Sequence, residues 1–369
     1  AATGAALLIG VTLVSTIATG AASAKETMNG ALATRYSVDI VAMGDDISQQ
    51  MAKDVADING VSDTLYAPAV SVTLEKADGT RPTSALLVGV KSIDQVKRVM
   101  RANLGNASID SDSVLMPTYN AQTGKELQFA NGTADFSTEW NQDGDATRSL
   151  TLQANQADYR RVSAQYEAVG FVDESHFTNG DLDAATHVLL VKADTDKSGV
   201  SVDGIYNDMQ AALEKSTDAT VTGPIAERIV WANMIDSMMM LLVGLIAVAV
   251  LIALVGVANT LSLSVIERTR ESATLRAIGM TRGQLRRSLA VEALLISLVS
   301  GIAGVLLGTL FGWLGAYVVF SMYGKVVFPF EWGINGIVLA VAAVAALLAS
   351  VFPARRAVST PPVEALAEA

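Results

Sequence analysis

The chain has no cysteine, so disulfides, thiol catalysis and thiolate metal sites are excluded. Histidine is nearly absent too. His176 and His187 lie eleven residues apart, which is not the spacing of a zinc-binding helix. No G-x-x-x-x-G-K-[ST] phosphate loop occurs. Gly124-Lys125 lacks a glycine five residues earlier and a Ser or Thr after it, so the chain is not expected to hydrolyse ATP by that mechanism. There is no G-x-S-x-G elbow, H-E-x-x-H helix or paired-carboxylate motif. Charge is missing from Ala1 to Ala24 and again over the thirty residues from Ser237 to Ile266. The ionisable residues closest to the apolar runs, Asp236 and Glu292, fall at expected helix ends. A proton-coupled transporter wants such groups near the bilayer midplane. Asn259, polar within an apolar run, needs only one helix–helix hydrogen bond.

What is present is apolar and unevenly charged. Of 369 residues, 51% are hydrophobic and 17% charged, with a mean hydropathy of +0.38. That mixture fits membrane helices joined to a water-exposed domain. The span from Lys25 to Asn233 holds 17 basic and 30 acidic residues, net −13, within a whole-chain charge of −11. An acidic domain beside basic loops is a signal of sidedness. It also argues against nucleic-acid binding, which needs a basic patch.

Four apolar runs are candidate spans, since about 20 apolar residues cross a bilayer. Residues 1–24 read as the first, rich in the small residues that let helices pack closely. A cleaved signal peptide competes, but there is no basic leader. With no initiator methionine, the chain is expected to begin inside a longer protein. The second span, residues 234–266, includes a charge-free stretch about 45 Å long as a helix, longer than a hydrocarbon core of about 30 Å. It is expected to project as a stalk starting near Ile225. Met238, Met239 and Met240 lie on its outer part, suited to packing or to a substrate-contacting surface. The third, residues 288–324, carries Gly304, Gly308 and Gly312 on one face. This ridge suits close packing against another span of the same subunit or a dimer contact. The fourth is residues 332–354, after a short loop, Tyr323–Glu331. Trp231, Tyr317, Tyr323 and Trp332 cluster where an outer interface is expected, and Arg355-Arg356 follow the last span.

Residues 25–233 form the polar region. Tyr36–Met43 alternates like a strand, and Ile47–Ile58 has helical spacing that ends at Asn59-Gly60. Thr64–Lys76 and Ser84–Lys91 read as strands around an Asp78-Gly79 turn. Ser92–Leu104 is an amphipathic helix, His187–Ala193 a strand, Val202–Leu213 a helix and Ala219–Thr222 a last strand. Two βαβ-like groups thus flank a β-rich insertion at about 105–157.

Between the second and third spans, residues 267–287 hold Arg268, Arg270, Arg276, Arg282, Arg286 and Arg287 against Glu267 and Glu271. Basic residues near span ends resist translocation, so this loop belongs in the cytoplasm. Gly279 suits a left-handed helix stop before a sharp turn at Gly279-Met280. Thr281 and Gln284 have capping-box spacing for the next helix. The run Glu267, Arg268, Arg270, Glu271, Leu275, Arg276, Ala277, Ile278, Gly279, Thr281, Gln284 and Glu292 resembles the cytoplasmic loop of FtsX-like permeases, which include MacB-type ABC transporter subunits. The tail, PARRAVSTPPVEALAEA, is similar to that family's ending.

The resemblance implies an α-helical membrane protein with four transmembrane helices and a large extracytoplasmic α+β domain, like the MacB periplasmic core domain, between helices 1 and 2. Both ends, including the tail at 355–369, are then cytoplasmic, in a bacterial inner membrane. It implies a coupling helix whose contact with a cytoplasmic ABC ATPase subunit uses Glu271, Leu275, Arg276, Ala277, Ile278, Gly279, Met280 and Thr281. ATP would sit on that partner, with no cofactor or metal on this chain. A second permease unit is implied as well, either a copy or the other half of a duplicated permease, and possible outer partners are a substrate or another protein. Drug or peptide export, lipoprotein release and control of cell-wall hydrolases all use this plan. The competing readings are a sensor or scaffold whose outer domain binds a partner without transport, against which the coupling motif argues, and a secondary transporter, which usually has more spans.

Overall fold

The computed structural model describes all residues except 1, 76–80, 141–145, 195–199, 268–278, 323 and 360–369. The chain separates into two compact units: residues 29–231, and residues 1–28 with 232–369.

The first unit is sheet-rich. In chain order it contains β1 (Ile40–Gly44), α2 (Gln49–Ala56), β2 (Val61–Leu74), β3 (Thr83–Val90), α3 (Ile93–Val99), β4 (Ser113–Pro117), β5 (Thr133–Trp140), β6 (Ala146–Ala157), β7 (Ala168–Asp173), the short α4 (Ser175–Thr178), β8 (Thr186–Ala193), α5 (Val202–Ala212) and β9 (Thr220–Thr222). The helix α1 (Ala2–Arg35) precedes them and α6 (Pro224–Glu267) follows.

One long strand organises this unit. The first part of β2 pairs antiparallel with β8, from Val61↔Ala193 to Ala69↔Thr186. Its last part pairs with β3, from Ala69↔Val88 to Leu74↔Thr83. From β3 the pairing runs on through β7, β4, β6 and β5, and β5 returns to β2 at Thr73↔Ser137 and Leu74↔Phe136. Six strands thus close a ring, while β8, β1 and β9 extend β2 as an open sheet. The strands expected as an insertion, β4 to β6, are half of that ring.

Side-chain alternation divides the core into three layers. Leu65, Ala67 and Ala69 of β2 join Leu86 and Val88 of β3, Val188 and Leu190 of β8, and Val96 and Val99 of α3 in a central cluster. Val70, Val72 and Leu74 point the other way, into the ring, with Leu87, Met116, Phe136 and Val172. Ile40, Leu189 and Val191 pack beneath α2 and α5 against Met51, Val55, Ile205 and Met209. β3 and β8 are covered on both faces, which is why they read as nearly unbroken apolar runs. The helices start where the sequence supplies caps. Ser48 accepts from Met51 N at 3.2 Å and Ser201 from Gly204 N at 2.9 Å.

The second unit is helical. It contains the bulk of α1 and α6, then α7 (Arg282–Phe320) and α8 (Trp332–Ser359). Among the described residues three helices are long and apolar enough to cross a membrane: Leu7–Arg35, Pro224–Val248 and Gly283–Phe320. A fourth, Trp332–Leu347, is a shorter apolar helix.

Candidate coupling and packing sites

The stretch between α6 and α7 carries the strongest sequence signal. Its residues Glu271, Leu275, Arg276, Ala277 and Ile278 lie outside the described residues. The turn that follows is described. Gly279 has φ +110°, the left-handed region a glycine adopts without the strain of a Cβ. Thr281 then caps α7. Its backbone N–H donates to Gln284 Oε1 at 2.9 Å, and its Oγ1 accepts from Gln284 N at 3.3 Å. This reciprocal pair satisfies two of the donors that a helix start leaves open. Met280, between the turn and the cap, is half-buried.

Gly304, Gly308 and Gly312 all sit on the face of α7 that meets α1. A Cβ added at Gly304 would come 2.9 Å from Val11 Cβ. At Gly308 it would come 2.6 Å from Thr12 O, and at Gly312 2.8 Å from Thr16 O. The two backbones therefore touch where side chains would hold them apart. A Cβ added at Gly315 on the same helix would meet nothing within 4 Å among the described residues.

Sequence reasoning missed the surface of α1 that this contact buries. Ser15, Thr19, Ser23 and Thr27 recur every fourth residue and are all buried. Ser15 Oγ donates to Asn335 Oδ1 of α8 at 2.9 Å, and Thr27 Oγ1 accepts from Val327 N at 3.1 Å. Their spacing was the available signal, hidden among alanines and glycines. At the polar end of this unit Lys25 Nζ meets Asp236 Oδ1 at 2.5 Å, and Trp313 Nε1 donates to Pro329 O at 2.8 Å. Met238 and Met240 are exposed. Asn259, Tyr323, Arg355 and Arg356 have no described side-chain environment.

In the sheet unit, the residues where α1 ends and α6 begins are tied together. The Tyr36 hydroxyl donates to Glu227 in the first turn of α6, and Arg161 stands 5.5 Å from the Tyr36 ring centre. Burial, then the Glu227 carboxylate, pushes the Tyr36 phenol up to about 12. Asp39 takes the Arg101 guanidinium in a two-pronged contact, Nε at 2.9 Å and Nη2 at 2.8 Å, and also accepts from Ala193 N at 2.8 Å. His176 and His187 stay apart. His176 is held between Asp181 Oδ2 and Ser111 O, whereas His187 stacks on Tyr66. Among the described residues no group of three His, Asp or Glu is placed to hold a metal.

Comparison with known proteins bears on the helical unit. Residues 243–362 match the model of the FtsX-like permease C-terminal family. That part of the chain is similar to the C-terminal part of the FtsX-like permeases. Similar relatives include the pyoverdine export ATP-binding/permease protein PvdT of Pseudomonas savastanoi, 26% identical over 54% of this chain and 33% of the relative. Another is the macrolide export ATP-binding/permease protein MacB 1 of Aeromonas hydrophila, 34% identical over 30% of this chain and 17% of the relative. A third, an uncharacterized ABC transporter permease of Methanocaldococcus jannaschii, is 27% identical over 47% of this chain and 44% of the relative. The chain thus spans less than half the length of each. Among solved structures, the extracellular domain of the noncanonic ABC-type transporter YknZ from Gram-positive bacteria is matched at 9% identity and TM-score 0.26 over 50% of this chain and all of that one.

Proposed function

We propose that this protein is the membrane permease part of a MacB/FtsX-type ABC transporter, coupling ATP binding and hydrolysis on a cytoplasmic ATPase to movement of its sheet unit outside the membrane. The observation that carries the reading is the family match over residues 243–362, which includes the whole basic stretch from Glu267 to Arg287. In this reading α1, α6, α7 and α8 are four spans, both ends are cytoplasmic, and the sheet unit lies outside a bacterial inner membrane. The acidic excess of residues 25–233 and the arginines between α6 and α7 support that sidedness. A second permease unit completes the complex, and the handled material is an exported or envelope substrate.

The physical route for coupling is α6. It is a single helix of 44 residues, about 66 Å long, beginning at Pro224 beside the last strand and ending at Glu267, where the coupling stretch starts. In this reading a displacement of the stretch is passed along α6 toward the sheet unit. Leu275 and Ile278, three residues apart, share a helix face and are the proposed anchor on the ATPase.

Leu275→Asp tests this. A charged residue at an apolar anchor is expected to weaken docking by about 2–4 kcal/mol, a factor of tens to several hundred in affinity. ATPase pull-down from detergent should fall accordingly at equal membrane abundance. Unchanged pull-down removes the coupling role. For sidedness, a cysteine at Thr123 should react with an impermeant thiol reagent in intact cells and one at Arg282 should not; the opposite pattern sinks the topology.

A further inference from the structure

Within the sheet unit, the last turns of α1, the chain leading into β1 and the start of α6 surround a cavity of about 340 Å³. That lies near the lower end of the range for small-molecule sites, about 300–1,000 Å³. Its walls are largely aliphatic: Leu32, Val38, Ala193, Val202 and Ile225. Leu32, Val38 and Ala193 are at most 3% exposed, so the floor is closed. Tyr36 is the one aromatic ring in the lining, and its hydroxyl is committed to Glu227. The permease reading makes no use of this cavity, and binding in it does not depend on that reading.

Besides Tyr36, four polar side chains share the lining. Asp39 and Arg101 are committed to each other in the two-pronged contact described above. The side chains of Asn29 and Arg228 make no hydrogen bond or ion pair among the described residues. Asn29 is half-buried and Arg228 exposed, so a ligand in the cavity can reach both. The cavity therefore combines a closed aliphatic floor with one unpartnered guanidinium and one unpartnered amide. The start of α6, at Pro224 and Ile225, adds the partial positive charge of a long helix's N-terminus.

We propose that this cavity binds a single-chain amphiphile with one carboxylate, of the medium-chain fatty acid class. Its chain lies along the aliphatic walls and its carboxylate accepts from Arg228 and Asn29. A guanidinium fork and a side-chain amide match a planar carboxylate. Aliphatic walls without a free ring face suit a chain better than a flat ring. A single unpartnered cation, with Asp39 in the lining and Glu227 next to Arg228 in the chain, favours one negative charge over the two of a phosphate, because like charges in one site repel. A chain bound there touches the end of α1 and the start of α6 at once.

The test is calorimetric titration of the full chain in phosphatidylcholine nanodiscs with octanoate, hexanoate, octyltrimethylammonium and octyl phosphate. Saturable binding is expected for octanoate. Hexanoate, two methylenes shorter, should bind about tenfold more weakly, since each buried methylene changes affinity about fourfold. The cation should be weaker by at least about tenfold, and the phosphate weaker than the carboxylate. Ala33 lines the cavity from an exposed position, so Ala33→Phe should fold normally, fill the space and abolish saturable binding. In the same nanodiscs that variant is also the blank for partition into lipid. Arg228→Gln, likewise exposed, should weaken octanoate by about three- to tenfold; it decides the matter if Ala33→Phe misfolds. Equal binding of octanoate and hexanoate overturns the proposal, as do a signal that persists in Ala33→Phe, unchanged affinity in Arg228→Gln, and binding of the cation as tight as that of octanoate. Tighter binding of octyl phosphate would also overturn it, by assigning the cavity to a phospholipid.

Discussion

In the sheet unit Phe136, Phe171 and Leu189 are sealed away, whereas in the helical unit Leu306 is 63% exposed and Val318 74%. Much of what the helical unit buries, among the described residues, is small or polar: Ser15, Thr19, Ser23, Thr27, Ser297, Thr309 and Asn335, with Gly304, Gly308 and Gly312 against the α1 backbone, beside a small apolar cluster around Val11 and Val305. The difference follows from solvent. In water, apolar burial is worth about 25 cal/mol per Å² and drives large side chains inward. In lipid a leucine gains nothing by turning inward, so helices associate through close backbone approach and interhelical hydrogen bonds. A single chain follows both rules, and each can be broken separately.

The largest effect is expected from Phe136→Ala. This ring sits where β5 closes on β2, within the cluster inside the ring. Removing it leaves a cavity and should cost about 3–5 kcal/mol. Leu306→Ala removes a comparable side chain from an exposed helix face and should cost about 0.5 kcal/mol or less. Denaturant unfolding in detergent, followed by a probe in each unit, compares them. Equal losses would mean that the exposed face of α7 is covered by protein rather than lipid.

A smaller effect separates the glycines. Gly308→Leu forces a side chain toward Thr12 O and should cost about 1–3 kcal/mol or block assembly. Gly315→Leu meets open space and should change the melting temperature little. If both variants melt alike, the α1–α7 approach contributes nothing to stability.

These contrasts also mark what was legible in advance. The strands β3 and β8 were readable because burial on both faces writes an apolar run into the local sequence. The cap at Thr281 was readable because both partners lie within one turn. The glycine spacing located a contact face but not its partner, since α1 lies almost three hundred residues earlier. Ring closure left no local trace, as it rests on Thr73 and Leu74 meeting Ser137 and Phe136. The cavity at the end of α1 was equally hidden, because Leu32, Ala193 and Arg228 come together only in the fold. The row from Ser15 to Thr27 was the avoidable miss: hydroxyls at every fourth residue of an apolar helix share one face.

The smallest expected effect lies at Tyr36, just after α1 leaves apolar sequence, and it asks whether water rules already hold there. The side chain is buried and its hydroxyl donates to Glu227. Tyrosine is neutral when protonated, so an environment that raises its pKa from 10.0 to about 12 binds the proton more tightly in the folded state. The resulting stability is complete below pH 10 and is lost as the pH climbs through about 12. Tyr36→Phe gives up the hydrogen bond, at about 0.5–1.5 kcal/mol near neutral pH, somewhat more if Glu227 is left without a donor. The variant also has no proton to lose. Wild type should therefore be the more stable protein at pH 8, and its advantage should shrink between pH 10 and 12 as the phenol ionises beside a carboxylate. Denaturant midpoints for both proteins across that range measure the difference directly. A gap that stays constant to pH 12 would show that Tyr36 is solvated and that its contact with Glu227 does not hold the start of α6 in place.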